Sequence, residues 1–296
     1  MISYENKHNI SSTTQWEGDY TLILLIELEV IMFNWKKDIA EQPIDTLLLF
    51  DERQLLYFPK HAKRRELALV LKTRPYILWY VKNKATEISE WIDYLLDEYK
   101  NEPIPADMRS IEKALICSME DWVIYVTTPD DYHNQPFVDW DERELTSLID
   151  YSDKTVVDIG SGTGKQAFAV APFAKYVYCV EPVANLRKYL RNRAKKEAAT
   201  NIFVVDGLLE DIPFNDEFAE VVMSGHVFGE MFEVELSELE RITKKNGLII
   251  LCPGNIDKDN ECHEFLIKNE FRWSRFLEPG DVVGSGYKRK YWKMKL

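Results

Sequence analysis

The sequence predicts an α/β protein: a parallel sheet covered by helices, closed by an antiparallel hairpin and preceded by a mostly helical region. Three observations predict it. The run Val156-Val157-Asp158-Ile159-Gly160-Ser161-Gly162-Thr163-Gly164 places a β-branched strand directly before three alternating glycines. Beyond about residue 140, apolar segments of strand length alternate with helical patterns, as parallel strands joined by crossover helices require. Phe271 to Leu277 and Tyr287 to Met294 also read as strands, joined only through Pro279-Gly280 and Gly284-Ser285-Gly286. With no helix between them, these two pair antiparallel.

Residues 1–10 are polar. The run Leu22 to Phe33 is apolar but short, and Glu27 and Glu29 interrupt it. A membrane span needs about 20 apolar residues, so this run reads as a buried element. From Tyr20 to about Tyr125 the periodicity is mostly helical. Thr86 is placed to cap one helix, with Ile88, Trp91, Ile92, Leu95 and Leu96 at helical spacing. Asn101 to Pro105 is a break. Asp107 is placed to cap a helix through Asp121, with Ile111, Leu115, Ile116 and Met119 on one stripe. Tyr76 to Val81 and Val123 to Thr127, rich in aromatic and β-branched residues, read as short strands.

Pro129 to Trp140 is rich in Pro, Asp and Asn and marks a boundary. We divide the chain there into residues 1–135, a mostly helical domain, and 136–296, the α/β domain. Within the second, the expected strands are Thr155–Ile159, Tyr176–Val180, Ile202–Val205, Ala219–Ser224, Leu248–Leu251 and the final pair. The glycine run is followed by a helix over 165–175.

The chain has 296 residues and a formal net charge of −13. Residues 1–140 hold 24 acidic and 15 basic side chains, and residues 141–296 hold 26 and 22. Nucleic-acid binders carry a basic face, and this balance disfavours one. Only Lys288, Arg289, Lys290, Lys293 and Lys295 form a local basic cluster, expected on a solvated strand edge. The four cysteines, Cys117, Cys179, Cys252 and Cys262, contain no Cys-x-x-Cys pair and read as reduced thiols. Cys252, Cys262 and His263 fit no zinc spacing, so no metal is expected. No signal-peptide pattern is visible. A soluble, cytoplasmic protein is expected.

Glycines at this spacing let a strand turn sharply into a helix and let a ligand touch bare backbone. That points to a nucleotide-type cofactor. Nicotinamide and flavin proteins share this logic, but their fingerprint is Gly-x-Gly-x-x-Gly. Here Gly160, Gly162 and Gly164 strictly alternate, Asp158 precedes them, and the chain ends in the antiparallel pair.

Taken together, residues 141–296 resemble the class I S-adenosylmethionine-dependent methyltransferases, and within them the small methyltransferase-domain group that includes ubiquinone- and sterol-type enzymes. Five blocks match in order: Val156 to Gly164, Val180-Glu181-Pro182, Asp211 to Phe214 with Phe218 to Ser224, Leu239 to Gly247, and Leu248 to Pro253. The resemblance implies a seven-stranded Rossmann-like sheet and S-adenosylmethionine as cofactor. It implies that Gly160, Ser161, Gly162 and Gly164 lie under the methionine and ribose. Asp158 would hold the loop or the cofactor's ammonium, and Glu181 would accept from both ribose hydroxyls. Pro182, Gly207, Leu208, Leu209, Ser224 and Tyr132 complete the expected cofactor set. The adenine region departs from the family, because Leu208-Leu209 stand where Asp-Ala is usual. Asp206 or Glu210 is then the replacement carboxylate, or backbone alone reads the base.

Methyl transfer is an in-line substitution in which the protein mainly aligns, excludes water and sometimes supplies a base. His226, just past the fourth strand, is the candidate catalytic base, since its ordinary pKa lies near neutrality; the alternative is a structural or substrate-orienting histidine. Ser224-Gly225-His226-Val227 lacks the Asn/Asp-Pro-Pro-Tyr pattern of amine methylases. Tyr132 or His133 is placed to close over the cofactor. The expected acceptor is a small neutral or basic molecule. The alternatives are a protein or RNA acceptor docked on the N-terminal half, a non-catalytic cofactor-binding protein, and a nicotinamide oxidoreductase.

Overall fold

The computed structural model describes residues 38–254, 257–279 and 286–296. The apolar run at 22–33 lies outside them. The N-terminal region is helical: a 3₁₀ turn, Ile44–Leu49, precedes α1 (Glu52–Leu56), α2 (Phe58–His61), α3 (Arg64–Thr73), α4 (Pro75–Lys84), α5 (Ser89–Glu98), α6 (Met108–Cys117) and α7 (Glu120–Thr127). Two short helices, α8 (Pro129–His133) and α9 (Arg143–Thr146), then lead to the sheet.

Two expected strands are helices. The stretch at 76–81 lies inside α4, and the stretch at 123–127 inside α7. Strand propensity follows packing more than backbone preference. Pro75 opens α4 at a position that favours proline, and Ile77 and Val81, four residues apart, are its two fully buried side chains. The helix capped by Asp107 is confirmed at its start, where the Asp107 carboxylate accepts from the Ser110 amide at 3.1 Å. It ends at Cys117, however, and α7 begins anew at Glu120. Thr86 opens a 3₁₀ turn ahead of α5 and makes no side-chain cap.

The sheet contains β1 (Thr155–Ile159), β2 (Tyr176–Val180), β3 (Ile202–Val205), β4 (Ala219–Gly225), β5 (Thr243–Cys252), β6 (Arg272–Leu277) and β7 (Tyr287–Met294) in the order β3-β2-β1-β4-β5-β7-β6. The first five are parallel, and β7 runs antiparallel to both β5 and β6. This is the seven-stranded arrangement expected. Side chains alternate between faces. Val157, Ile159, Val222, Ile249 and Leu251 pack with α12 (Phe232–Ile242) and α13 (Glu261–Lys268). Val156, Val177, Val221, Met223 and Ile250 pack with α10 (Lys165–Val170) and α11 (Ala184–Lys196). A third apolar cluster fills the helical region and takes in Val183 and Leu186 from the start of α11. The two regions therefore share buried surface beside β2.

The basic cluster is not a solvated edge. β7 lies inside the sheet, between β5 and β6, and Arg289 and Lys290 are each only 5% exposed. The Lys290 ammonium donates to Glu144 at 2.6 Å. Arg289 donates to Asp257 and Asp259 at 2.9 and 2.8 Å and lies over the Trp273 ring. Buried charges require such partners, so these residues tie α9 and the 257–259 loop to the sheet.

Candidate functional site

In an open parallel sheet, ligands lie beyond the carboxyl ends of the strands where strand order reverses. Here β1 has β2 on one side and β4 on the other, so the glycine loop leaves β1 at the reversal. Gly160, Gly162 and Gly164 all have positive φ. At Gly162 (φ +55°) a Cβ would meet nothing nearer than the Tyr132 ring at 3.8 Å, so the backbone faces open space. At Gly164 (φ +86°) a Cβ would strike Leu190 and Phe168 within 3 Å. Gly160 and Gly162 border the cavity described below and Gly164 does not. Gly164 instead lets α10 and α11 close on the sheet.

Glu181 follows β2 and is 4% exposed. One carboxylate oxygen accepts from the Gly162 amide at 2.8 Å, the other from the Val183 amide at 2.9 Å. Burial pushes its pKa up to about 7, against the lowering effect of those two amides. Asp158 is likewise buried on β1, and burial pushes it up to about 7, with Ser161 and the Ala167 amide opposing. Its Oδ2 has no hydrogen-bond partner among the described residues. The Ser161 hydroxyl donates to the Asp158 carbonyl at 2.8 Å, pinning the turn.

These groups edge a cavity of about 700 Å³, within the usual range for small-molecule sites. Of the expected residues, Gly160, Gly162, Glu181, Pro182, Gly207, Leu208, Leu209, Tyr132 and His226 border it. Asp158, Ser161, Gly164 and Ser224 do not: Ser161 and Gly164 lie in the loop, and Asp158 and Ser224 are buried on β1 and β4. Asp206 points away, its carboxylate paired with Arg187 at 2.9 Å. Glu210 does face the cavity, held by Arg53 at 2.7 Å. His133 lies on the far side of the loop, within 3.1 Å of the Thr163 hydroxyl.

Two sequence blocks meet under the Leu208-Leu209 wall. On α12, Glu238 accepts from the Ile212 amide, while Arg241 donates to the Ile212 and Phe214 carbonyls. Phe214 stacks flat on Phe218, with centroids 4.2 Å apart. Helix and turn thus fix the floor of that pocket together.

Apart from Tyr132, the opposite wall carries no motif that the sequence displays. Arg53 and Tyr57 on α1–α2 reach Glu230, the Tyr57 hydroxyl donating at 2.6 Å. Tyr57, His61 and Trp122 form an aromatic cluster with centroid separations of 5.4 to 5.8 Å. Asp51 accepts from the first amide of α11 at 2.6 Å, where the helix dipole favours an anion. Glu235 accepts from three successive amides, Gly229 to Met231, and so shapes the loop that carries Glu230. Tyr132 stands edge-on to Tyr125 at 4.8 Å.

Comparison with known proteins agrees with this geometry. Residues 157–251 match the family model described as a methyltransferase domain. A curated Bacillus subtilis protein, the uncharacterized methyltransferase YcgJ, is 23% identical over 118 residues, 39% of this chain. The matched region spans 46% of that relative's length. Among solved structures, an S-adenosylmethionine-dependent methyltransferase from Aquifex aeolicus is 19% identical, with a TM-score of 0.45 over 57% of this chain and 98% of its own. The methyltransferase in a Haloferax volcanii complex with the Trm112 activator is 12% identical, with a TM-score of 0.47 over 57% and 94%. By family match, residues 157–251 form a methyltransferase domain, and the glycine loop and Glu181 lie inside it.

Proposed function

We propose that the chain transfers a methyl group from S-adenosylmethionine to a small molecule held between the helical region and the sheet. The observation that carries this reading is Glu181. A buried carboxylate, bonded to the glycine-loop amide, borders a cavity that runs from Leu208-Leu209 to His226. Oxygens so placed can accept from vicinal hydroxyls. Gly160 and Gly162 leave backbone bare beside them, and the leucines offer apolar faces to a purine. When bound, S-adenosylmethionine supplies an electrophilic methyl group. The chain's own residues orient the two reactants and keep water out.

The division at residue 135 fits a lid-and-platform reading. Residues 136–296 hold the cofactor, and the helical region supplies the wall that the acceptor meets. Residues of α1, α2 and α7 also line the cavity, and its volume of about 700 Å³ suits a small acceptor. Cytoplasmic location belongs to the same reading; no described helix is long and apolar enough to cross a membrane.

Calorimetric titration with S-adenosylhomocysteine tests it. Binding by the wild type and its loss in Glu181→Ala are expected. Equal binding by both proteins would remove Glu181 from the site, and binding of NADH alone would replace the reading with an oxidoreductase.

A further inference from the structure

His226 borders the cavity and has a buried carboxylate beside one ring nitrogen. It follows β4 with φ +61°, a left-handed conformation uncommon for a residue with a side chain. Such strain persists only where neighbours impose it. Its amide donates to the Cys252 carbonyl at 2.8 Å, and its Nε2 lies 3.0 Å from Oε2 of Glu278. Glu278 follows β6, is 4% exposed, and has the Lys288 ammonium 4.0 Å from its other oxygen. The imidazole, in contrast, is half exposed and borders the cavity. A Cβ on Gly254 would sit 2.5 Å from Nδ1, so only glycine lets the backbone pass this close to the ring.

We propose that Glu278 is a positioning residue that holds His226, a residue of the cavity border, in one tautomer, with Nδ1 left as the ring's proton acceptor. A carboxylate accepts and does not donate, so Nε2 carries the proton and Nδ1 the lone pair. This inference rests on the methyltransferase reading and narrows it. The acceptor is an O–H or N–H compound that loses its proton as it is methylated. Its lone pair forms the bond to the methyl carbon, and the carbon–sulfur pair leaves with sulfur. The proton goes to Nδ1, and the resulting imidazolium faces Glu278.

The test is long-range ¹⁵N NMR of the histidine ring nitrogens in the uniformly labelled full-length protein, with His226 assigned by its absence in His226→Asn. The wild type is expected to show one neutral tautomer, protonated at Nε2. In Glu278→Gln, which keeps the volume but can donate as well as accept, the two tautomers are expected to mix. Adding S-adenosylhomocysteine is expected to move the Nδ1 resonance. An Nδ1-protonated wild type, or the same tautomer ratio in both proteins, overturns the proposal. A thermal titration of the same sample separates the two readings. Stabilisation by S-adenosylhomocysteine with an unmoved Nδ1 overturns the role of His226 and keeps the cofactor. A single Nε2–H tautomer with no ligand effect keeps the pairing and removes the cofactor.

Discussion

The two walls of the cavity are built by different means. The sheet wall is backbone: amides of the glycine loop, the turn after β2, and the Gly207–Leu209 segment, with Glu181 as its one central side chain. The helical wall is side chain: Arg53, Tyr57, Trp122 and Tyr132, reaching across from short helices. A backbone wall depends on φ and on where Cβ atoms are absent, so it tolerates little change at few positions. A side-chain wall spreads its function over many replaceable groups. Substitutions should therefore act steeply on one side of the cavity and shallowly on the other.

The steepest effect is expected at Glu181. Removing its carboxylate deletes two acceptors for a ligand and leaves the Gly162 and Val183 amides without their partner. At about 1.5–3 kcal/mol for a hydrogen bond to a charged group, Glu181→Ala should weaken S-adenosylhomocysteine binding on the order of a hundredfold. Calorimetry measures this directly. Glu181→Gln should recover less than half of that loss in free energy, because an amide offers one acceptor oxygen where the carboxylate offers two. Full recovery would mean that shape, and not charge, holds the ligand.

The next effect is on pH dependence and comes only from the sheet wall. Burial holds Asp158 and Glu181 near 7 when folded, above their values in an unfolded chain. Between about pH 4.5 and 7 the folded protein keeps protons that the unfolded chain has released. Stability is then greatest below about pH 4.5, where these two groups are concerned, and is lost as pH rises through 7. A fall in Tm of several degrees from pH 5.5 to 8 is expected in the free protein, followed by thermal melts in buffers of matched ionic strength. Asp158→Asn should flatten the slope, since an amide has no charge to bury. Hydroxyl donors favour the ionised form of Glu181, so S-adenosylhomocysteine should bind more tightly at pH 8 than at pH 6 and release protons on binding. Proton uptake instead would contradict the proposed ribose contact.

The same contrast explains what the sequence made legible. Strands β1, β2, β3 and β7 fall on the residues expected, because alternating burial and β-branched runs are local signals. The glycine loop was visible because bare backbone leaves a residue type behind. The errors lie where burial from afar decides. Residues 76–81 and 123–127 carry strand-forming side chains, yet the neighbouring helices bury one stripe of each. The basic run at 288–295 suggested an exposed edge because its partners, Glu144, Asp257 and Asp259, are distant in sequence. Arg53, Tyr57 and Glu278 left no signal at all. An arginine, a tyrosine or a glutamate in an unremarkable segment becomes a wall or a partner only when the chain brings Glu230, Glu210 or His226 to it.

The smallest effect is expected where the two walls are joined. Arg53 spans from Glu210, beside the Leu208-Leu209 wall, to Glu230 on the loop after β4, at 2.7 and 3.5 Å. All three side chains keep partial access to water, and such pairs contribute about 0–1 kcal/mol. Arg53→Ala should therefore lower Tm by no more than about 2 °C, by the usual conversion for a chain of this size. Ligand affinity should fall less than threefold. Most of that change should vanish at 0.5 M salt, where the Debye length is only a few ångströms. Unlike Glu181, which anchors backbone, Arg53 links two carboxylates that water can also solvate. A tenfold loss of affinity that persists at high salt would show that Arg53 touches the ligand, and would move part of the binding function from the backbone wall to the side-chain wall.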